Sequence, residues 1–405
     1  MPKLRIGIPI NFDYNPLAGG SYSYVKQLIN AIDTHEFDPG IEVLFLNFEK
    51  KNIHTQKKLL TFHPFSSFTL ADLCRKLFIV CLHKMPFGLF KNWLYRLENK
   101  HASARDQKIK KVLNANNIKL LFYVNPDGNR YDFPFITIHW DIGHVSTYMF
   151  PEFSENLEAR KAYYNEILPK ALLILTETVA GKEELASYTS INPDRIKVMP
   201  IFPGNVVEEN IEVQEQLDIL QRFKLSPQQF FVYPAQFWAH KNHILLIDAF
   251  EILLKKHPAT QLVFTGSDKG NLSYVKQYID SKKLTSYVKI LGFVQNNELF
   301  TLYKNAISLV MPTFLGPSNM PPLEAASLNC PVIISDLKGH RELLGSYARY
   351  FDPLNAADMA AAMLAQIAHG HQTSFEHKDR FSIQAATDAL NQAFVKAANL
   401  RKTWA

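Results

Sequence analysis

The chain has 405 residues, 47% hydrophobic and 20% charged, with a formal net charge of +6. This balance excludes a disordered chain, and the length exceeds what a single core usually supports, so two domains are expected. The mild basicity suits an anionic substrate or surface, while three cysteines, Cys74, Cys81 and Cys330, lack metal-ligand spacing and argue for reduced thiols over a disulfide framework.

In chain order, Leu4–Ile10 reads as a buried strand and Ser21–Ile32 as a helix with Tyr24, Leu28 and Ile32 on one face. Further strands are expected at IEVLFLNF, IKLLFYVN, PFITIHW, ALLILTET and IKVMPIF, with a helix between each neighbouring pair. The second half restarts with strand QFFVYPAQ, helix HILLIDAFEILLKKH, strand TQLVFTGS and helix SYVKQYIDSKKL. Strands VKILGFV, ISLVMPT, PVIIS and ARYFDP follow, with helices after most of them. Such alternation predicts an α/β protein of two facing, Rossmann-like, doubly wound parallel sheets. The expected organisation is a first domain at residues 1–205, a polar, acidic linker at 206–229 and a second domain at 230–385. A last helix at 386–405 crosses back over the first domain. The opening MPKLRIGIPINFDY lacks the apolar stretch of a signal peptide, and no run reaches the ~18–20 apolar residues of a membrane span, which predicts a cytoplasmic chain.

Open parallel sheets bind ligands at the carboxyl ends of their strands, so function is sought in those loops. Gly19 and Gly20 precede a helix start, where backbone can approach an anion closely; a plain strand-to-helix turn is the alternative. In YPAQFWAHKNH, Lys241 is placed to meet a phosphate, with His240, Asn242 and His243 as further donors, or the segment is a capped helix start. In FLGPSNMPPLEA, Gly316 to Asn319 can present several amides, and Pro321 and Pro322 mark a helix start, together an anion site suited to a diphosphate. Glu324, expected in the first turn, either complements the helix dipole or accepts hydrogen bonds from sugar hydroxyls such as those of a ribose. In ITIHWDIGHVSTYMFPEF, a strand ends in His139, Trp140 and Asp141, and His139, Asp141 and His144 are expected to face the cleft, where histidine binds hydroxyls or moves protons; core histidines are the alternative, and no zinc ligand set is present.

Together these loops resemble the retaining glycosyltransferases of family 4, which have the GT-B fold. The resemblance is densest over Phe231–Pro353 and extends to the glycine loop and the WDIGH…PEF segment. The family's paired glutamates are matched only in the second, Glu324; Gly316 stands at the first, so contacts to the sugar would come from backbone around Pro317 to Met320, or from Asn319. The family's arginine before the loop lysine is replaced by Gln236. The resemblance implies a catalytic set of His139, Asp141, His144 and Lys241. It implies a donor-binding set of Gly19, Gly20, Gln236, Lys241, Gly266, Gly292, Val294, Gly316, Ser318, Asn319, Met320 and Glu324. The implied reaction moves a hexose-type sugar from a nucleotide-sugar to a hydroxyl of a glycan or lipid-linked acceptor. Anomeric configuration is retained, neither metal nor cofactor is needed, and the setting is cell-surface polysaccharide synthesis. Rival readings keep the fold but make the chain a sugar-nucleotide epimerase, a glycan phosphorylase, or a binding or scaffold protein that has lost catalysis. Nucleic acid is not an expected partner. The basic, apolar residues 72–100 suit peripheral contact with an anionic membrane, or form an amphipathic core helix pair with solvated lysines.

Overall fold

The computed structural model describes residues 3–10, 19–48, 54–62, 106–128, 132–154, 156–370 and 374–402. Cys74, Cys81 and the basic segment 72–100 lie outside the described residues.

Two sheets carry the fold. The first holds β1 (Leu4–Ile10), β2 (Ile41–Asn47), β3 (Leu59–Thr61), β4 (Ile118–Tyr123), β5 (Phe135–His139), β6 (Leu173–Thr176) and β7 (Ile196–Val198), in the order β3-β2-β1-β4-β5-β6-β7. The second holds β8 (Phe230–Pro234), β9 (Gln261–Thr265), β10 (Val288–Ile290), β11 (Ser308–Met311), β12 (Val332–Ser335) and β13 (Arg349–Phe351), in the order β10-β9-β8-β11-β12-β13. Pairing is parallel throughout, from β1 on β2 and β4 to β8 on β9 and β11. The near-continuous apolar runs follow from this. A parallel strand is covered by helices on both faces, and every residue of β5, β6, β11 and β12 is buried.

Strand order reverses between β1 and β4 and again between β8 and β11, the crevices in which doubly wound sheets take ligands. The helix Gly20–Thr34 follows β1 and buries Tyr24, Leu28 and Ile32, the stripe expected from spacing. Three details differ from the sequence expectation. Strand β3 is an edge strand of three residues, too short to show a period. Among the described residues no helix joins β4 to β5. The segment expected as linker carries the helix Val213–Phe223, which buries Ile219 and Leu220 and is closed by Lys224 in the left-handed region. Its acidic residues are the solvated face of that helix. Arg222 and Asn305 bind it to the helix Asn296–Asn305 through Glu298 and Gln216.

The last helix, Ile383–Arg401, does cross back onto the first domain. Ser382 Oγ caps it by accepting from the Ala385 amide, and Phe394 packs 5.5 Å from the Phe122 ring and 5.4 Å from that of Phe37. The domains also meet at the cleft. The Glu342 carboxylate accepts the Val179 and Ala180 amides at 2.9 Å each, capping a first-domain helix from the second domain. Beside it, the Thr178 hydroxyl donates to the Pro317 carbonyl at 2.9 Å. These contacts hold the end of β6 against the loop after β11.

Candidate active site

Two adjoining cavities open between the domains, of about 900 and 350 Å³. They share a wall of Gly20, Pro234, Ala235, Gln236 and Met320. Gly19, Gly266, Val294 and Glu324 line the larger one, and Trp140, Asp141, Glu177, Lys241, Gly316, Ser318 and Asn319 line the smaller one.

The loop after β11 is built around Gly316, whose φ is +133°. A Cβ there would stand 2.2 Å from Asn319 Nδ2 and 2.8 Å from the Ser318 carbonyl, so the turn takes glycine alone. Asn319 caps the helix Met320–Ser327, in which Pro321 and Pro322 remove two of the opening amides. The helix end therefore offers fewer donors than a dipole argument from sequence implies. Lys241 supplies the positive charge. Its Nζ donates to Asn319 Oδ1 at 3.1 Å, and Asn319 Nδ2 in turn donates to His340 Nε2 at 3.0 Å. His340 Nδ1 donates to the Ser335 carbonyl at 2.8 Å, which fixes the neutral tautomer. Burial keeps His340 at about 4 and pulls Lys241 down to about 8, against the opposing pull of Asp141 and Glu152. Gln236 is tethered at both ends, donating to Ser267 Oγ at 3.2 Å and accepting from Trp238 Nε1 at 3.1 Å. Gly19, with φ +73°, packs on it so closely that a Cβ would lie 3.1 Å from Gln236 Nε2.

Glu324 sits fifth in its helix, beyond the first turn, so complementing the helix dipole does not explain it. It is 7% exposed. Its Oε2 accepts from the Tyr303 hydroxyl at 2.8 Å and its Oε1 from the Gly204 amide at 3.2 Å. Burial pushes its carboxyl up to about 7, and these two hydrogen bonds oppose the rise. Gly204 lies in the crossover between the domains, where a Cβ would stand 2.2 Å from Glu324 Oε1.

The first domain divides its expected residues. Asp141 lines the smaller cavity, as does its neighbour Trp140, which the sequence did not assign there, and Asp141 Oδ1 accepts from the Gly143 amide at 2.9 Å. His139 and His144 do not line either cavity. His139 ends β5, is 1% exposed and has its Nδ1 3.3 Å from the Tyr164 hydroxyl. Burial pulls it down to about 4. The His144 ring lies 4.6 Å from that of Tyr164. β5 ends at His139, so its alternation does not continue: the chain leaves the strand with Trp140 and Asp141 in the cavity lining, while both histidines pack against the Tyr164 ring. His243 is a core residue as well, stacked 4.6 Å from Phe237, and the Asn242 amide braces the Pro312 and Pro353 carbonyls. Gly292 is set back from the cavity, its carbonyl accepting from the Gly266 amide at 2.7 Å.

Glu152, Glu177, Tyr303 and His340, which the sequence did not single out, complete the site. Glu152 accepts from both the backbone amide and Nδ1 of His240, pinning the second-domain loop to the first domain. Glu177 carries a signal, since it follows β6 directly at a carboxyl strand end. Tyr303 and His340 carry none, because their contacts are made only once the second sheet has formed.

Residues 217–387 match the family model described as glycosyl transferases group 1. The chain is 24% identical over 225 residues to O-antigen chain mannosyltransferase B of Escherichia coli, covering 55% of this chain and 58% of that one. It is 26% identical over 198 residues to O-antigen chain mannosyltransferase RfbU of Salmonella typhimurium, covering 48% and 52%. The matches thus span little more than half the length of these relatives. The whole fold is similar to that of Anabaena Alr3699/HepE, solved in complex with UDP, with a TM-score of 0.64 and 14% identity over 97% of this chain and 100% of that one. The two facing parallel sheets and returning helix make up the GT-B fold.

Proposed function

We infer, since residues 217–387 belong to the glycosyl transferases group 1 family, that the chain transfers a hexose-type sugar from a nucleotide-sugar to a hydroxyl of a glycan or lipid-linked acceptor. The observation that carries this reading is the convergence of Lys241 and Glu324 on adjoining cavities at the switch point between β8 and β11. A ribose in the larger cavity gives Glu324 hydroxyl donors, and a diphosphate running past Met320 toward the smaller cavity meets Lys241. The sugar then occupies the smaller cavity, between Asp141, Trp140 and the loop after β11. Lys241 and the loop amides meet the charge that develops on the departing diphosphate, so the proposed reaction uses no metal.

In this reading the bond from the anomeric carbon to the phosphate oxygen breaks as the acceptor oxygen bonds to the same carbon from the same face. The acceptor's proton passes to the departing phosphate oxygen, and configuration is retained. The names of the O-antigen mannosyltransferases and the UDP complex of the similar fold support a nucleotide-sugar donor and a cell-surface glycan product. Among the described residues no helix is long and apolar enough to cross a membrane. Work at the cytoplasmic face, with the basic segment 72–100 on anionic lipid, belongs to the same proposal.

Incubation of the protein with a panel of nucleotide-sugars, with and without lipid-linked glycan acceptors, tests the reading through nucleotide release. Release that rises at least about tenfold with acceptor is expected, an acceleration easily within catalytic reach. A chain that binds no nucleotide-sugar at millimolar concentration is not a transferase of this kind.

A further inference from the structure

The smaller cavity contains a carboxylate that the proposed reaction has not yet used. Glu177 stands immediately after β6, is 7% exposed and faces the cavity wall formed by Lys241, Asn319 and Asp141. One of its oxygens accepts a hydrogen bond from Ser318 Oγ, across the cleft. Among the described residues it makes no salt bridge and no second side-chain hydrogen bond. Burying a carboxylate on a single hydroxyl is unfavourable, and burial pushes this one up to about 7, with Asp141 adding to the rise. A cleft carboxylate held this way, by burial and one hydroxyl with a second acid beside it, is a candidate functional group.

The loop facing Glu177 explains why an acid is needed there. Gly316 admits no side chain, so the turn after β11 presents amides and the side chains of Ser318 and Asn319 but no carboxylate. Asn319 is already engaged with Lys241 and His340. Of the two acids that line the smaller cavity among the described residues, Asp141 spends one oxygen on the Gly143 amide. Glu177 is the acid joined directly to the loop. Sugar hydroxyls donate hydrogen bonds, and an ionised carboxylate is the strongest acceptor a protein can offer them.

We propose that Glu177 binds a hydroxyl of the transferred sugar, with Ser318 as the residue that positions its carboxylate. The assignment rests on the nucleotide-sugar reading above and adds to it a specificity residue supplied by the first domain. Sugar recognition then depends on both domains, and the nucleoside diphosphate alone gains nothing from Glu177.

The test uses Glu177→Gln and Glu177→Ala with the accepted donor, its monodeoxy analogues and the nucleoside diphosphate. Both variants should bind the nucleoside diphosphate within about twofold of wild type and lose about 30- to 100-fold in kcat/KM for the full donor, the scale of a hydrogen bond to a charged group. The wild type should reject one deoxy donor by a similar factor, and Glu177→Ala should accept that donor and the full one within about threefold of each other. The near-isosteric Glu177→Gln controls for folding, read by its thermal unfolding midpoint. If Glu177→Ala still discriminates against every deoxy donor as the wild type does, Glu177 does not touch the sugar. A wild type that binds no nucleotide-sugar overturns this proposal and the reading beneath it together.

Discussion

Lys241→Met should lower kcat/KM for sugar transfer by about 10²- to 10³-fold, the usual effect of removing one donor that stabilises developing negative charge. The ammonium is held by Asn319 and, among the described residues, makes no salt bridge that would divert it from a diphosphate. The same substitution should stabilise the unliganded protein. Burial puts the lysine's folded value at about 8, below its ordinary 10.5, so the native state binds fewer protons than the unfolded chain between those two values. Stability therefore rises as pH passes from about 8 to 10.5, and the half-buried charge is unfavourable at pH 7. Removing it should gain about 1–3 kcal/mol there and little at high pH, since a tenfold loss of proton affinity on folding corresponds to ~1.4 kcal/mol. Activity of the wild type should fall above pH 8 as the lysine discharges, moving to higher pH when a bound diphosphate favours the charged form. Kinetics and thermal unfolding across pH 6–10 check both signs. A variant that is slow and also destabilised would mean that Lys241 mainly supports the fold.

Gly316→Glu, which restores the acid that the family resemblance expects, should damage the enzyme. The backbone φ of +133° excludes a side chain, and the new Cβ would displace Asn319, which holds Lys241. A stability loss of about 2–4 kcal/mol is expected from strain and overpacking. Transfer should fall more than about 10²-fold with the displacement of Lys241. Chemical denaturation and steady-state kinetics on the purified variant check this. Higher activity in Gly316→Glu would show that the loop has a second conformation able to carry an acid, and would remove the reason for assigning Glu177.

The contrast between these positions shows what sequence could convey. The strands were legible because buried parallel strands leave continuous apolar runs, and the places of Lys241 and Glu324 at the cleft were legible because each lies in the loop-to-helix segment that follows such a strand. Their surroundings were not. The expected first-turn position of Glu324 assumed that the prolines begin the helix; it begins at Met320, one residue earlier, and Tyr303 and Gly204 hold the acid instead. His139 and Trp140 are neighbours in sequence, and only the final turn of β5 decides which one reaches the cleft. Glu177 and Ser318 are far apart in the chain and in different domains, so their pairing exists only in the folded molecule. The helix Val213–Phe223 was hidden by its solvated face, which outnumbers its buried residues.

One nucleoside diphosphate should bind between Glu324 and Lys241. Calorimetric titration of the wild type and of Glu324→Ala with uridine and guanosine diphosphates tests it most directly. Saturable 1:1 binding of at least one of them to the wild type is expected, weakened about 10- to 100-fold in Glu324→Ala by loss of hydrogen bonds to a charged acceptor. Equal affinity of the two proteins for every nucleotide that binds would contradict it.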